Sequence, residues 1–91
     1  MEASEVSLHM ARIFVFMTQT PGWKTNQEIA AGAAVAGRTA RAHTKKLVEL
    51  GILDQADVFP AHRYRISARA DTRDKAYLFR LKEAAKIFDL S

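Results

Sequence analysis

The 91 residues, 48% hydrophobic and 26% charged, fit one ordered domain spanning 1–91, with room for a single small core and a composition unlike that of a disordered chain. No cysteine is present, so neither a disulfide framework nor a thiolate zinc site is available. The net charge of +4 is placed unevenly: residues 1–23 sum to −1, residues 24–65 to +3 and residues 66–91 to +2. Residues 29–48 hold four bases (Arg38, Arg41, Lys45, Lys46) and no acid. A solvated surface ordinarily mixes both signs, so this stretch points to an anionic partner.

The opening Met1-Glu2-Ala3-Ser4-Glu5 lacks the basic start of a secretory leader. The densest apolar run, residues 13–17, is far too short to cross a bilayer. The expectation is a soluble cytoplasmic protein with no membrane partner.

In chain order, residues 4–19 place Val6, Met10, Ile13, Phe14 and Met17 at helical spacing. This first helix is apolar on more than one side, so a second face needs cover. Thr20-Pro21-Gly22 ends it as a turn, and Trp23 is expected to pack over the next helix. Thr25-Asn26-Gln27-Glu28 has the form of a capping box that opens a short second helix with Ile29 and Ala30 inward. Gly32 and the alanines around Val35 allow a tight turn and a close approach of helices. A third helix is expected over 37–50, with Ala40, Thr44, Leu47 and Val48 inward and Gly51 as its C-terminal glycine. Its opposite side presents Arg38, Ala42 and Lys45, flanked by Thr39, Arg41 and Lys46.

Residues 52–55 then read as a strand, followed by a turn at Phe59-Pro60-Ala61. In residues 62–66, Tyr64 and Ile66 alternate with Arg63 and Arg65, which predicts a hairpin with a basic outer face. A last helix over 71–90 carries Asp71 and Asp74 near its start. Its main apolar face is Tyr77, Leu78, Leu81, Ala84, Ala85 and Phe88, with Phe79 and Ile87 off that face. The predicted class is therefore α+β, mostly α: three helices, a two-stranded wing and a C-terminal helix.

The blocks Thr25-Asn26-Gln27-Glu28-Ile29-Ala30, Val35, Arg38-Thr39-Ala40-Arg41 and Lys45-Lys46-Leu47-Val48-Glu49-Leu50-Gly51-Ile52-Leu53 carry a resemblance. Over roughly residues 10–67 the chain resembles the winged helix-turn-helix domains of bacterial and phage transcriptional regulators. The resemblance implies a helix-turn-helix at 25–51 and a wing at 52–67; the C-terminal helix at 71–90 lies beyond it, and its surplus apolar residues make it a candidate dimerisation element. Four residues depart from the family pattern. Ala34 stands where the turn usually has glycine, and Ala36 where a serine or threonine caps the recognition helix. Thr44 fills a usual leucine position, and Gly37 lies in the first helical turn.

The resemblance implies double-stranded DNA as the partner, with the third helix in the major groove and the wing on the backbone. Arg38 and Arg41 suit guanine edges, with Thr39 assisting, and Ala42 permits close approach. Lys45 and Lys46 suit phosphates, and Thr25 and Asn26 sit where a helix N-terminus can hold one. On the wing, Arg63 and Arg65, with His62 near the tip, are the candidates for backbone contact. Val15, Phe16, Phe79, Ile87 and Leu90 are the candidates for a homodimer interface through the first and last helices. His9, His43 and His62 do not form ligand spacing, and no nucleophile has a base beside it. Neither a metal, a cofactor nor enzymatic activity is expected. The alternatives in view are a winged-helix protein-interaction adaptor and a DNA-binding replication or partition protein.

Overall fold

The computed structural model describes residues 7–58, 61–68 and 75–90. The expected turn residues Phe59 and Pro60, and Asp71 and Asp74 of the last helix, lie outside them. Four helices and three short strands follow in the order α1 (Leu8–Gln19), β1 (Lys24–Thr25), α2 (Asn26–Ala33), α3 (Gly37–Glu49), β2 (Leu53–Val58), β3 (Ala61–Ile66) and α4 (Lys75–Ile87).

Ser7 caps α1, its hydroxyl accepting the Met10 amide at 3.1 Å. Met10, Ala11, Ile13, Phe14, Val15 and Met17 are all buried, so α1 is covered on more than one side. It packs against α2, α3, α4 and β3, which makes it the central helix. This accounts for its nearly all-round apolar sequence, and it corrects one expectation. Val15 is buried within the chain, and Phe16 is half-buried against Gly32 of α2, so α1 leaves less apolar surface for a second copy than its sequence suggests.

At Gly32, α2 receives the Phe16 ring of α1. A Cβ built there would overlap the Phe16 ring, so any larger residue would force the ring or the helix to shift. The core continues through Ile29, Ala40, Leu47, Ile52, Leu53 and Tyr64 to Tyr77, Leu78 and Leu81 of α4.

Helices α2 and α3 end in the same device. After α3, the Ile52 amide reaches the Leu47 carbonyl at 2.9 Å and the Gly51 amide reaches Val48 at 3.0 Å, with Gly51 left-handed at φ 79°. This is a Schellman turn, sealed by the buried pair Leu47 and Ile52. The same turn ends α2, with Val35 bonding to Ala30 at 3.0 Å, but its left-handed residue is Ala34 at φ 58°. An alanine there carries a steric cost that glycine does not. Ala34→Gly is expected to raise stability by about 0.5–1 kcal/mol, or roughly 2–8 °C in Tm. A thermal melt unchanged or lowered by the substitution would contradict the left-handed assignment.

The sheet has one strand more than the predicted wing. β1 pairs antiparallel with β3 (Lys24 with Tyr64, Thr25 with Arg63), and β3 pairs with β2 from Leu53–Ile66 out to Val58–Ala61. The strand order is β1-β3-β2, so β3 is central. α4 lays Tyr77, Leu78, Leu81, Ala84 and Ala85 inward and packs on α1. Phe88, expected on this apolar face, is 39% exposed just past the helix end, while Phe79 and Ile87 stand at 62% and 76% exposure.

Candidate nucleic-acid interface

At about 100° per residue, the buried positions of α3 (Ala40, Thr44, Leu47) define one stripe. Arg38, Ala42, Lys45 and Glu49 fall opposite it and are exposed; Arg41 and Lys46 are exposed on the two flanks. Thr39 is half-buried. The structure thus brings Arg38, Arg41, Ala42, Lys45 and Lys46 onto one outward surface, as the sequence pattern requires. The Arg41 guanidinium reaches back toward the helix start, with Nη1 4.0 Å from the Cβ position of Gly37. Ala36 supplies no side-chain cap, and the first turn holds no acid, so the amides at this end face solvent beside two arginines. Glu49, which the sequence reading did not single out, places one acid at the far end of the same surface.

The capping box of α2 forms in full. Thr25 Oγ1 accepts the Glu28 amide at 3.2 Å, and the Glu28 carboxylate accepts the Thr25 amide at 2.8 Å. That backbone hydrogen bond, assisted by Lys24 and Arg63 nearby, holds the Glu28 carboxyl below its ordinary pKa. A carboxylate therefore already occupies part of this helix N-terminus, and Thr25 spends its hydroxyl on the cap. Asn26 differs from expectation more sharply. Its side chain turns inward, accepting from the Thr44 hydroxyl at 2.8 Å and donating to the Tyr64 hydroxyl at 3.3 Å. The fully buried Thr44 hydroxyl needs a partner, and Asn26 supplies it.

The wing's outer face is less basic than its β3 sequence suggests, because β2 brings acids into register. Arg65 faces Asp54 across the strands at 3.6 Å, and its guanidinium lies over the Trp23 ring at 4.5 Å. Trp23 thus meets Arg65 and fixes its position by cation–π attraction. On the other face, His62 Nδ1 lies 2.7 Å from Asp57, which also accepts from Gln55 at 2.8 Å. These two hydrogen bonds hold the Asp57 carboxyl below its ordinary pKa. Arg63 stands opposite Ala56 and, among the described residues, makes no direct ion pair, meeting the Glu28 carboxylate only at longer range, which leaves it the more available of the wing's two arginines.

His43 lies half-buried on the flank of α3 that turns toward His9 of α1. Burial, and then the neighbouring His9, lower its pKa from the ordinary 6.5. The unfolded chain therefore takes up this proton first. The contribution is whole above 6.5 and is lost as pH falls from there toward the depressed folded value. His43→Gln is expected to flatten that part of the stability profile in melts run from about pH 8 to about pH 5. An unchanged slope in the variant would refute the assignment.

Among the described residues no group of acids, histidines or cysteines is placed to hold a metal ion. No described helix is long and apolar enough to cross a membrane. No protein-family model and no curated protein sequence matches the chain. Solved structures do. Sso10a-2, a DNA-binding protein from Sulfolobus solfataricus, superposes with a TM-score of 0.65 at 16% identity, over 93% of this chain and 83% of that one. ST1889 from Sulfolobus tokodaii gives 0.63 at 20% identity, over 92% of this chain and 83% of its own. The MarR family transcription regulator SP03579 gives 0.62 at 16% identity, over 94% of this chain and 58% of its own. The element order and these likenesses establish a winged helix-turn-helix fold, mostly α with a three-stranded antiparallel sheet.

Proposed function

We propose that this domain binds double-stranded DNA sequence-specifically and acts in the cytoplasm as a small transcriptional regulator. The observation that carries the reading is the outer surface of α3, where Arg38, Arg41, Lys45 and Lys46 surround Ala42. A major groove about 12 Å wide admits such a helix, and arginine grips guanine O6 and N7 with both donors. Lys45 and Lys46 reach phosphates, and Arg63 of β3 extends the contact to the flanking backbone. Support also comes from structural neighbours described as a DNA-binding protein and a transcription regulator.

The test is fluorescence anisotropy with labelled random duplex DNA at several salt concentrations, with the Arg41→Ala, Lys45→Ala double variant alongside. Affinity that falls steeply with salt and collapses in the variant supports the reading. Absence of binding at low salt, or binding indifferent to the variant, favours the protein-interaction adaptor instead.

The same proposal includes a two-fold dimer through α4. Phe79, Glu83 and Ile87 follow at i, i+4 and i+8 on its outward side, and the two apolar members are more than half exposed. A second copy covering them would set two α3 helices about one DNA turn apart on a palindromic site. Sedimentation is expected to show a dimer that Phe79→Glu with Ile87→Glu converts to monomer. A wild-type monomer at high micromolar concentration would remove this part of the proposal.

A further inference from the structure

Within the DNA-binding reading, on which this inference rests, we propose that Asn26, Thr44 and Tyr64 form a positioning clasp. It sets the angle between the recognition helix and the wing, so that α3 and Arg63 meet DNA in one geometry. Thr44 is fully exclusive of solvent on a stripe whose other members, Ala40 and Leu47, are apolar. A hydroxyl in such a place weakens packing unless it is hydrogen-bonded, and hydrogen bonds, unlike apolar contacts, hold a narrow range of distance and direction. Thr44 gives its proton to Asn26 Oδ1 at 2.8 Å, with the Arg41 carbonyl of its own helix at 3.2 Å as the competing acceptor. Asn26 Nδ2 in turn donates to the buried Tyr64 at 3.3 Å.

One amide therefore joins the middle of α3, the first turn of α2 and the central strand of the sheet. Either orientation of that amide connects the same three side chains. The ends of the clasp lie beside the cations that matter. Thr44 is flanked in sequence by Lys45 and lies three residues after Arg41, while Tyr64 follows Arg63 directly. The spacing between the α3 cations and the wing cation is thus set through Asn26. In this arrangement Asn26 acts through its neighbours and does not itself touch a phosphate.

The experiment uses the full chain and random duplex DNA, reading the slope of log affinity against log salt. Thr44→Val keeps the side-chain shape and removes the hydroxyl; Tyr64→Phe cuts the other end; Thr44→Ser restores the donor. With melting temperature held within a few degrees, Thr44→Val and Tyr64→Phe are each expected to lower the slope by about one released counterion, as the Arg63 contact is lost. Adding Arg63→Ala is expected to weaken wild-type binding severalfold and the Thr44→Val protein hardly at all, while Thr44→Ser behaves as wild type. Wild-type slopes in both cutting variants, or an Arg63→Ala effect equally large in every background, would overturn the clasp and leave DNA binding standing. A wild-type chain that binds no duplex would overturn the DNA reading and the clasp with it.

Discussion

Gly32→Ala is expected to destabilise the domain by about 1–3 kcal/mol, lowering Tm by roughly 4–24 °C. Helix propensity alone predicts the opposite sign, since alanine is favoured over glycine in a helix interior by about 0.5–1 kcal/mol. The decision rests on space. The added methyl would occupy the volume of the Phe16 ring, where α1 packs on α2. Either the helices part or the ring leaves a position packed against the core. The cost therefore belongs to a pair of residues, and a double-mutant cycle isolates it: in a Phe16→Ala background, Gly32→Ala should be neutral or stabilising. A single Gly32→Ala variant that melts higher than wild type would show that the two helices do not meet as described.

The second large effect is on binding. On a selected operator, Arg38→Ala or Arg41→Ala is expected to cost about 1–3 kcal/mol, roughly a 5- to 150-fold loss, with specificity relaxed at one base pair. Lys45→Ala and Lys46→Ala should weaken all sequences alike and lower the salt slope by about one each. The wing separates its two arginines. Arg65 is already engaged by Trp23 and Asp54, whereas Arg63 is not, so Arg63→Ala should cost more than Arg65→Ala. Competition titrations against specific and random duplexes distinguish these cases. Equal losses on every sequence from arginine and lysine changes alike would refute the base-reading role of the arginines.

Much of the fold was legible because local chemistry carried it. The Thr25–Glu28 box, the Gly51 turn and the Tyr64/Arg63 alternation each depend on residues close in sequence, and each formed as expected. What escaped depends on partners distant in sequence. β1 is two residues long and exists only because Tyr64 and Arg63 lie beside it. Asn26 looked like an open helix terminus because its partners, Thr44 and Tyr64, are brought to it by tertiary packing. Val15 and Phe16 looked like surplus apolar surface because the cover provided by the neighbouring helices has no local signature. The wing's acids did leave a signal. A hairpin that pairs Val58 with Ala61 must also set Asp57 against His62 and Asp54 against Arg65, so the charge balance followed from the register.

The position of Arg63 in the sheet has a consequence for the thermodynamics of association. It lies on β3 where Thr25 and Ala56 flank it on neighbouring strands, so its backbone is held by ladders on both sides. Ordering a flexible loop on contact with a ligand would subtract from affinity; a residue already immobilised at its Cα surrenders only side-chain freedom. The two-residue strand β1 adds almost nothing to the core, yet it makes the wing's more available arginine a preorganised group. The entropy of fixing it is spent in folding, before any partner arrives.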